Sequence, residues 1–286
     1  ILVDAASAMP NISVRFGVAV SGVNQSGPCP VVECGDSSYE ADVVIGADGI
    51  HSVVRSVVAG ADAPRFSGWA AFRAQVPRDR VKHLPVETTN RVGPGAHVVS
   101  YFIGKGQSHF NLVFITQETE WMGESWTEQT SLASLRDAFV GWSPQLQEII
   151  DAVEEPVYKW ALYDREPLAT WCNGSVALLG DSAHPMLPFM AQGACQAIED
   201  AAVLARCLDG VQPDPHAISQ ALVTYQSTRM ERATRVQTGS YMNRIVFHYP
   251  DGEEQAARDA MFGSDRWSSA TDWVYEHDPL TTPLLA

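Results

Sequence analysis

The segment from Gly180 to Asp200 constrains the fold of this chain more than any other. It follows an apolar run at residues 175–179 that is typical of a strand, and it leads into a run at residues 194–208 that is typical of a helix. Glycine lets a ligand approach the backbone, aspartate accepts hydrogen bonds from sugar hydroxyls, and a helix N-terminus offers free N–H groups. The segment therefore predicts a phosphate- and ribose-binding turn.

A second strand–turn–helix pattern lies near the start of the chain. Residues 39–45 are typical of a strand, Gly46-Ala47-Asp48-Gly49 is a turn, and residues 52–58 are typical of a helix. On physical grounds alone this pattern is equally consistent with an ordinary turn in which Asp48 caps the helix, because Asp-Gly is a common turn dipeptide.

Together the two patterns resemble the FAD-binding motifs of the aromatic-ring hydroxylases, which are single-component flavin monooxygenases. The run 180–200 resembles the second motif of that family without a gap, and Asp48-Gly49 followed by Ser52-x-x-Arg55 resembles its Asp-Gly fingerprint. Residues 160–165, Trp-Ala-Leu-Tyr-Asp-Arg, place the resemblance closest to the salicylate hydroxylase-like group. The family's first motif, a Gly-x-Gly-x-x-Gly loop, is absent, since Gly93-Pro94-Gly95 is followed by Val98 at the third glycine position.

The resemblance implies an α/β fold with an incomplete glutathione-reductase-like FAD-binding domain, an inserted β-sheet substrate domain and a helical C-terminal tail. Because the glycine loop lies near the N-terminus of complete members, we expect an N-terminally truncated member. The expected divisions are the C-terminal part of the FAD-binding domain at 1–65, the substrate-binding sheet at 66–165, a second FAD-binding segment at 166–210 and a helical region at 211–286.

Carried over residue by residue, the resemblance implies FAD as cofactor and NADH or NADPH as reductant. Asp181 is expected to hold the ribityl chain, and Arg73 is a candidate partner for a substrate carboxylate. Phe189 is expected beside the isoalloxazine ring and the substrate, where some relatives carry histidine. The expected cofactor-binding residues are Asp48, Gly49, Arg55, Gly180, Asp181, Pro188, Gly193 and Ala194.

His97 and Tyr101 form the candidate catalytic pair. They are four residues apart in a strand-like run, so both side chains point to one face of the sheet. A histidine and a phenol on one face suit deprotonation of a phenolic substrate, and the pair is similar to that of hydroxybenzoate and hydroxynicotinate hydroxylases. The alternative is an aromatic pair that only stabilises the sheet.

The implied reaction is hydroxylation of a small phenolic or hydroxypyridine carboxylate. Dioxygen and reduced FAD form a flavin C4a-hydroperoxide, which transfers oxygen to the ring, while the protein orients the ring and excludes water. Two alternatives stay open. One is a non-catalytic remnant that binds FAD weakly or not at all, and the other is a hydroxylase of larger polycyclic or terpenoid substrates.

Periodicity predicts the remaining elements. Strands are expected at 14–23, 30–34, 69–76, 96–104, 109–116 and 156–161, and helices at 132–140, 144–153 and 216–247. Arg229, Arg232 and Arg235 recur at i, i+3 spacing in the last helix, which predicts a solvated or salt-bridged face.

Composition excludes some partners. The net charge of −15 argues against nucleic acid or an anionic membrane surface as a partner, and no run approaches the roughly 20 apolar residues of a membrane span. No metal site is implied by the five cysteines, which contain no Cys-x-x-Cys pair. We expect a cytoplasmic protein, monomeric or homodimeric.

Overall fold

The computed structural model describes residues 1–119 and 129–285, with only the backbone described at 265–269. The fold is α/β, as predicted. The described residues form twelve strands: β1 (Gly22–Asn24), β2 (Val31–Cys34), β3 (Ser37–Glu40), β4 (Val44–Gly46), β5 (Arg65–Pro77), β6 (Thr89–Gly93), β7 (Ala96–Ile103), β8 (His109–Gln117), β9 (Gln129–Thr130), β10 (Val157–Asp164), β11 (Cys172–Asn173) and β12 (Val176–Leu178).

Helices flank these strands and make up most of the C-terminal third. In chain order they are α1 (Leu2–Ser7), α2 (Val53–Ala59), α3 (Leu132–Ala138), α4 (Pro144–Asp151), α5 (Gly193–Leu208), α6 (Pro215–Val246), α7 (Glu253–Phe262) and α8 (Asp265–Tyr275).

The largest sheet is antiparallel, with strand order β6-β7-β8-β5-β10-β9. Both of its faces are buried, which explains the nearly continuous apolar run of β8. Phe114 packs on one face in a core with α3 and α4, whereas Ile115 packs on the other face with Leu187 and Phe247. The second face is the one that meets the rest of the chain.

A smaller sheet, β11-β12-β4, holds the two predicted turns. β12 pairs in parallel with β4, with Val176 opposite Val44 and Leu178 opposite Gly46. Because the carboxyl ends of parallel strands meet at one edge of a sheet, the turns that follow β4 and β12 emerge side by side.

The prediction of a strand at 14–23 is wrong for most of its length. Only Gly22–Asn24 is a strand, and residues 14–21 have no regular secondary structure. The alternating side chains of Val14, Phe16 and Val18 are exposed. Within the described residues no strand pairs with this run, and a strand needs a hydrogen-bonded neighbour as well as an alternating pattern.

Two further sequence expectations need correction. The single strand predicted at 39–45 is divided into β3 and β4, because β3 pairs with β2 while β4 pairs with β12 in another sheet. Gly93 ends β6, and Pro94-Gly95 forms the tight turn that leads to β7; the strand β6 itself was not predicted. The short polar strand β6 has too few apolar residues to be recognised from periodicity.

Two of the three arginines in the row on α6, Arg229 and Arg232, are salt-bridged, as one reading predicted, and Arg229 is fully buried. The Arg229 guanidinium is buried and lies 2.8 Å from Asp200 and 2.7 Å from Glu199, which are both on α5. Arg232 also pairs with Glu199, at 2.7 Å. Arg235 is exposed and lies over the Trp273 ring at 3.7 Å. These ion pairs fix α5 against α6.

Two kinds of feature are absent from the described residues. Across 1–119 and 129–285, no helix has the length and apolarity needed to cross a membrane. In the same ranges, no three His, Cys, Asp or Glu side chains are grouped so that they could hold a metal ion.

Replacing Arg229 with alanine is expected to lower the free energy of unfolding by about 3–5 kcal/mol, because two buried carboxylates each lose one of their charged partners. Urea denaturation measures this change. Arg235→Ala is the matched control on the exposed side of the same helix, with an expected loss below about 1 kcal/mol. Equal losses in the two variants would contradict the buried ion-pair account.

Candidate functional site: a cavity between two turns and a sheet

The first turn, after β4, is organised by the Asp48 carboxylate. It accepts hydrogen bonds from the Val53 N–H at 2.7 Å, from the Val54 N–H at 3.2 Å and from the Ser52 hydroxyl. Burial alone would raise the pKa of Asp48, but these hydrogen bonds outweigh it and hold the pKa below its ordinary value. Asp48 therefore accepts from the first two N–H groups of α2, whose N-cap residue is Ser52, and this agrees in part with the plain turn reading.

The second turn, after β12, is fixed by hydrogen bonds to Asp200 on α5. The Gly180 N–H donates to the Asp200 carboxylate at 3.0 Å, and the His184 Nε2–H donates to the same oxygen at 2.6 Å. Gly180 has φ +62°, and an added Cβ would meet the Ala197 Cβ at 3.0 Å. This position therefore requires glycine both for its conformation and for its closeness to α5.

Hydrogen bonds join the two turns to each other. The Gly49 N–H donates to the Ser182 hydroxyl at 3.0 Å, and that hydroxyl donates to Asp48 at 3.1 Å. Arg55, almost fully buried, donates to the carbonyl oxygens of Ser182 at 2.9 Å and Ala183 at 3.1 Å. The two predicted motifs thus form one rigid unit. Asp48 and Arg55 act inside this unit and are not among the residues that line the cavity described next.

A cavity of about 1030 Å³ lies between this unit and the largest sheet. It brings together most of the predicted site residues. Those that line it are Gly49, Arg73, His97, Tyr101, Gly180, Asp181, Pro188, Phe189, Gly193 and Ala194.

The N-terminus of α5 opens into the cavity at Gly193 and Ala194. The residue before the helix, Gln192, provides no side-chain cap to the first N–H groups. The positive end of the helix dipole and these amide donors are therefore available to an electron-rich ligand edge. Asp181 stands near them on the second turn; burial raises its pKa, although the nearby His184 opposes this effect.

The sheet forms the opposite wall. Along β7 the alternate residues His97, Val99 and Tyr101 line the cavity. Since each strand residue advances by about 3.3 Å, His97 and Tyr101 lie about 13 Å apart along the strand. The structure therefore brings them to one wall but not into contact with each other.

Arg73 lies on β5, exposed at the rim of this wall. Its guanidinium carbon is 5.0 Å from the centre of the Trp160 ring. Within the described ranges no carboxylate lies within ion-pair distance of it. Arg73 and Asp181 also line a smaller neighbouring cavity of about 190 Å³.

Aromatic rings surround His97 at the inner end of the cavity. The His97 imidazole is edge-on to Phe189 at 5.1 Å and to Phe247 at 5.4 Å. Its Nδ1 lies 2.7 Å from Nε2 of His248. Burial, together with His248, holds the pKa of His97 well below 6.5, so the ring is neutral at neutral pH.

The C-terminal helices supply cavity residues that the sequence did not reveal. Gly239, Asn243 and Phe247 reach the cavity from α6 or its end, and Trp273 reaches it from α8. One of them had a signal in the sequence, since a glycine inside a long helix, here Gly239, often has a packing reason. An added Cβ at Gly239 would meet the Met190 sulfur at 2.8 Å. His248 is in no motif.

Comparison with known proteins gives consistent matches. Residues 1–240 match the family described as FAD binding domain. A 3-amino-4-hydroxybenzoate 2-monooxygenase, PtmB3 of Streptomyces platensis, is 37% identical over 93% of this chain and 67% of its own length. A 6-hydroxynicotinate 3-monooxygenase of Pseudomonas fluorescens is 39% identical over 97% of this chain and 68% of its own length.

Among solved structures, a salicylate hydroxylase substrate complex superposes with a TM-score of 0.83 at 26% identity, covering 97% of this chain and 73% of that one. The chain thus spans about two thirds of the length of the two relatives.

Replacing Gly180 with alanine is expected to lower the free energy of unfolding by about 2–4 kcal/mol, because it adds a Cβ at positive φ and presses on Ala197. Gly210→Ala is the matched control, since Gly210 has φ +72° but open space around it. The control is expected to cost about 1–2 kcal/mol. Similar losses in urea denaturation would show that the close approach to α5 is unimportant.

Proposed function

The chain belongs to the FAD binding domain family, whose members matched here include FAD-dependent aromatic monooxygenases, and we propose that it hydroxylates a small aromatic carboxylate that carries a ring hydroxyl. The observation that carries this proposal is the cavity itself. Two joined strand–turn–helix units face a sheet wall with an unpaired arginine at its rim and a neutral, buried histidine at its inner end.

The residues at the turns fit the flavin end of FAD. Gly180 leaves the backbone bare, Asp181 offers a carboxylate to the ribityl hydroxyls, and the amides of Gly193 and Ala194 face the position of an electron-rich ring edge. Pro188 would lie beside the ring. When bound and reduced by NADH or NADPH, FAD supplies the chemistry that activates dioxygen.

The sheet wall fits the substrate. Arg73 would hold the carboxylate by charge-assisted hydrogen bonds, which a protein with a net charge of −15 needs in order to attract an anion. His97 would accept the proton of the ring hydroxyl, because a phenolate ring is more electron-rich than a phenol. Tyr101, at the other end of the same strand, would contact the bound ring or its carboxylate.

Apolar side chains would keep this chemistry dry. Phe189 and Phe247 are buried against His97, and the buried Trp69 ring makes an edge contact with Phe189 at 6.2 Å. Exclusion of water protects a reactive oxygen donor and strengthens each hydrogen bond inside the cavity.

We also propose that the chain is divided into functional segments at residues 65, 165 and 210. The six-stranded sheet, from Arg65 to Asp164, would then be the substrate segment, and its residues 120–128 lie outside the described ones. The segments on either side would supply the cofactor turns.

Replacing Arg73 with glutamine is expected to weaken binding of a hydroxylated aromatic acid by about 10-fold to 100-fold, since a hydrogen bond to a charged group contributes about 1.5–3 kcal/mol. The matched ligand is the same phenol without its carboxylate, whose affinity should not change. Titration followed by the flavin absorption spectrum measures both. Equal weakening of the two ligands would contradict the carboxylate role.

Replacing His97 with alanine is expected to lower kcat by about 10²–10⁴-fold while FAD remains bound. Raising the pH toward the substrate's own pKa should restore part of the rate, because the ring hydroxyl then ionises without a base. Val99→Ala, on the same strand and the same wall, is the control. An unchanged rate and pH profile in the His97 variant would remove this residue from the mechanism.

A further inference from the structure

His248 follows the C-terminal end of α6 and contacts His97, the candidate base, at its Nδ1 atom. Its Nε2 lies 2.7 Å from His97 Nδ1, and its Nδ1 lies 2.6 Å from the carbonyl oxygen of Arg244. Its ring is stacked on Trp69, with ring centres 3.9 Å apart and an interplanar angle of 21°. These contacts leave His248 buried and fixed in orientation.

The carbonyl oxygen determines where the protons lie. A carbonyl can only accept, so His248 Nδ1 must carry hydrogen and donate to Arg244. A neutral imidazole has one ring hydrogen, so His248 Nε2 holds a lone pair and accepts from His97 Nδ1–H. His97 Nε2 is then left without hydrogen.

Both rings are neutral near pH 7, since the pKa of each lies well below that pH. Burial and, to a smaller extent, the positive charge of Arg258 outweigh the Arg244 hydrogen bond and together lower the pKa of His248 to about 4. The titratable groups that face His248 are His97 and Arg258, and Arg258 is itself paired with Asp259 at 2.8 Å. No described carboxylate stabilises a charge on the pair.

We propose that His248 is a positioning residue that holds His97 in the tautomer with hydrogen on Nδ1, so that Nε2 presents a lone pair to the substrate. His97 lines the cavity, and its Nε2 has no hydrogen-bond partner among the described residues. The use of this lone pair rests on the proposed function, whereas the tautomer does not.

The lone pair at His97 Nε2 would select substrates that donate a hydrogen bond over those that can only accept one. The O–H bond of the ring hydroxyl breaks as a N–H bond forms at His97 Nε2, and the electron pair stays on the oxygen. His248 Nε2 then accepts the hydrogen bond of the resulting imidazolium. A ring that offers O–H is accepted, whereas its methyl ether, which can only accept, faces a second lone pair.

Nitrogen-15 NMR of the histidine rings tests the tautomer directly in the 286-residue chain, with His97→Ala used to assign the His97 signals. In the unsubstituted chain we expect His97 with hydrogen on Nδ1 and the far-downfield shift of a bare nitrogen at Nε2. In His248→Phe, which keeps the stack on Trp69 but removes the acceptor, this preference should be lost. His248→Gln, which keeps an acceptor near the Nε2 position, should retain it.

Two results would overturn the inference: hydrogen on Nε2 of His97 in the unsubstituted chain, or the same tautomer in His248→Phe as without the substitution. The first needs no variant, so a folding defect cannot obscure it.

Kinetics separate this inference from the proposed function. With a phenolic acid as substrate, His248→Phe should lower kcat about 10-fold to 100-fold with little change in KM, and His248→Gln should stay within about threefold. If His97→Ala loses activity but His248→Phe does not, the positioning role fails. If the tautomer is as expected and His97→Ala remains fully active, the proposed role of His97 fails instead.

Discussion

The buried carboxylate of Asp200 is the constraint on which the candidate site depends. It accepts hydrogen bonds from the Gly180 N–H, from His184 and from Arg229, and so links the second turn to both α5 and α6. Burial alone would raise the pKa of Asp200, but the His184 hydrogen bond and the charges of His184 and Arg229 hold it below 3.8. The carboxylate therefore stays ionised, and the turn, the N-terminus of α5 and the cavity keep one geometry.

The local parts of this arrangement could be predicted from the sequence. The two turns could be predicted because glycine and aspartate lie between an apolar strand and a helix in each, although only the family resemblance made the first more than an ordinary turn. The common face of His97 and Tyr101 follows from strand periodicity. The carboxylate beneath Gly180 was already within the motif, at Asp200. The partner of Asp200, Arg229, could not be predicted, because a row of arginines has the same sequence pattern on a buried helix face as on a solvated one.

The parts that sequence missed depend on long-range packing. His248 is 151 residues from His97 and has no local pattern, so only the path of α6 across the sheet brings the two rings together. The run at 14–21 has the alternation of a strand, yet its apolar side chains are exposed, because periodicity describes a chain's preference and not the presence of a neighbour. The boundary between β3 and β4 is likewise set by two different sheets.

Hydrogen–deuterium exchange with and without excess FAD tests the central claim, that the two joined turns form the flavin-binding wall of the cavity. The account predicts slower amide exchange in the peptides that contain residues 46–50 and 179–197, since FAD would cover the first turn at Gly49 together with the uncapped N–H groups at the start of α5. Unchanged exchange in both peptides, or protection confined to other segments, would contradict it.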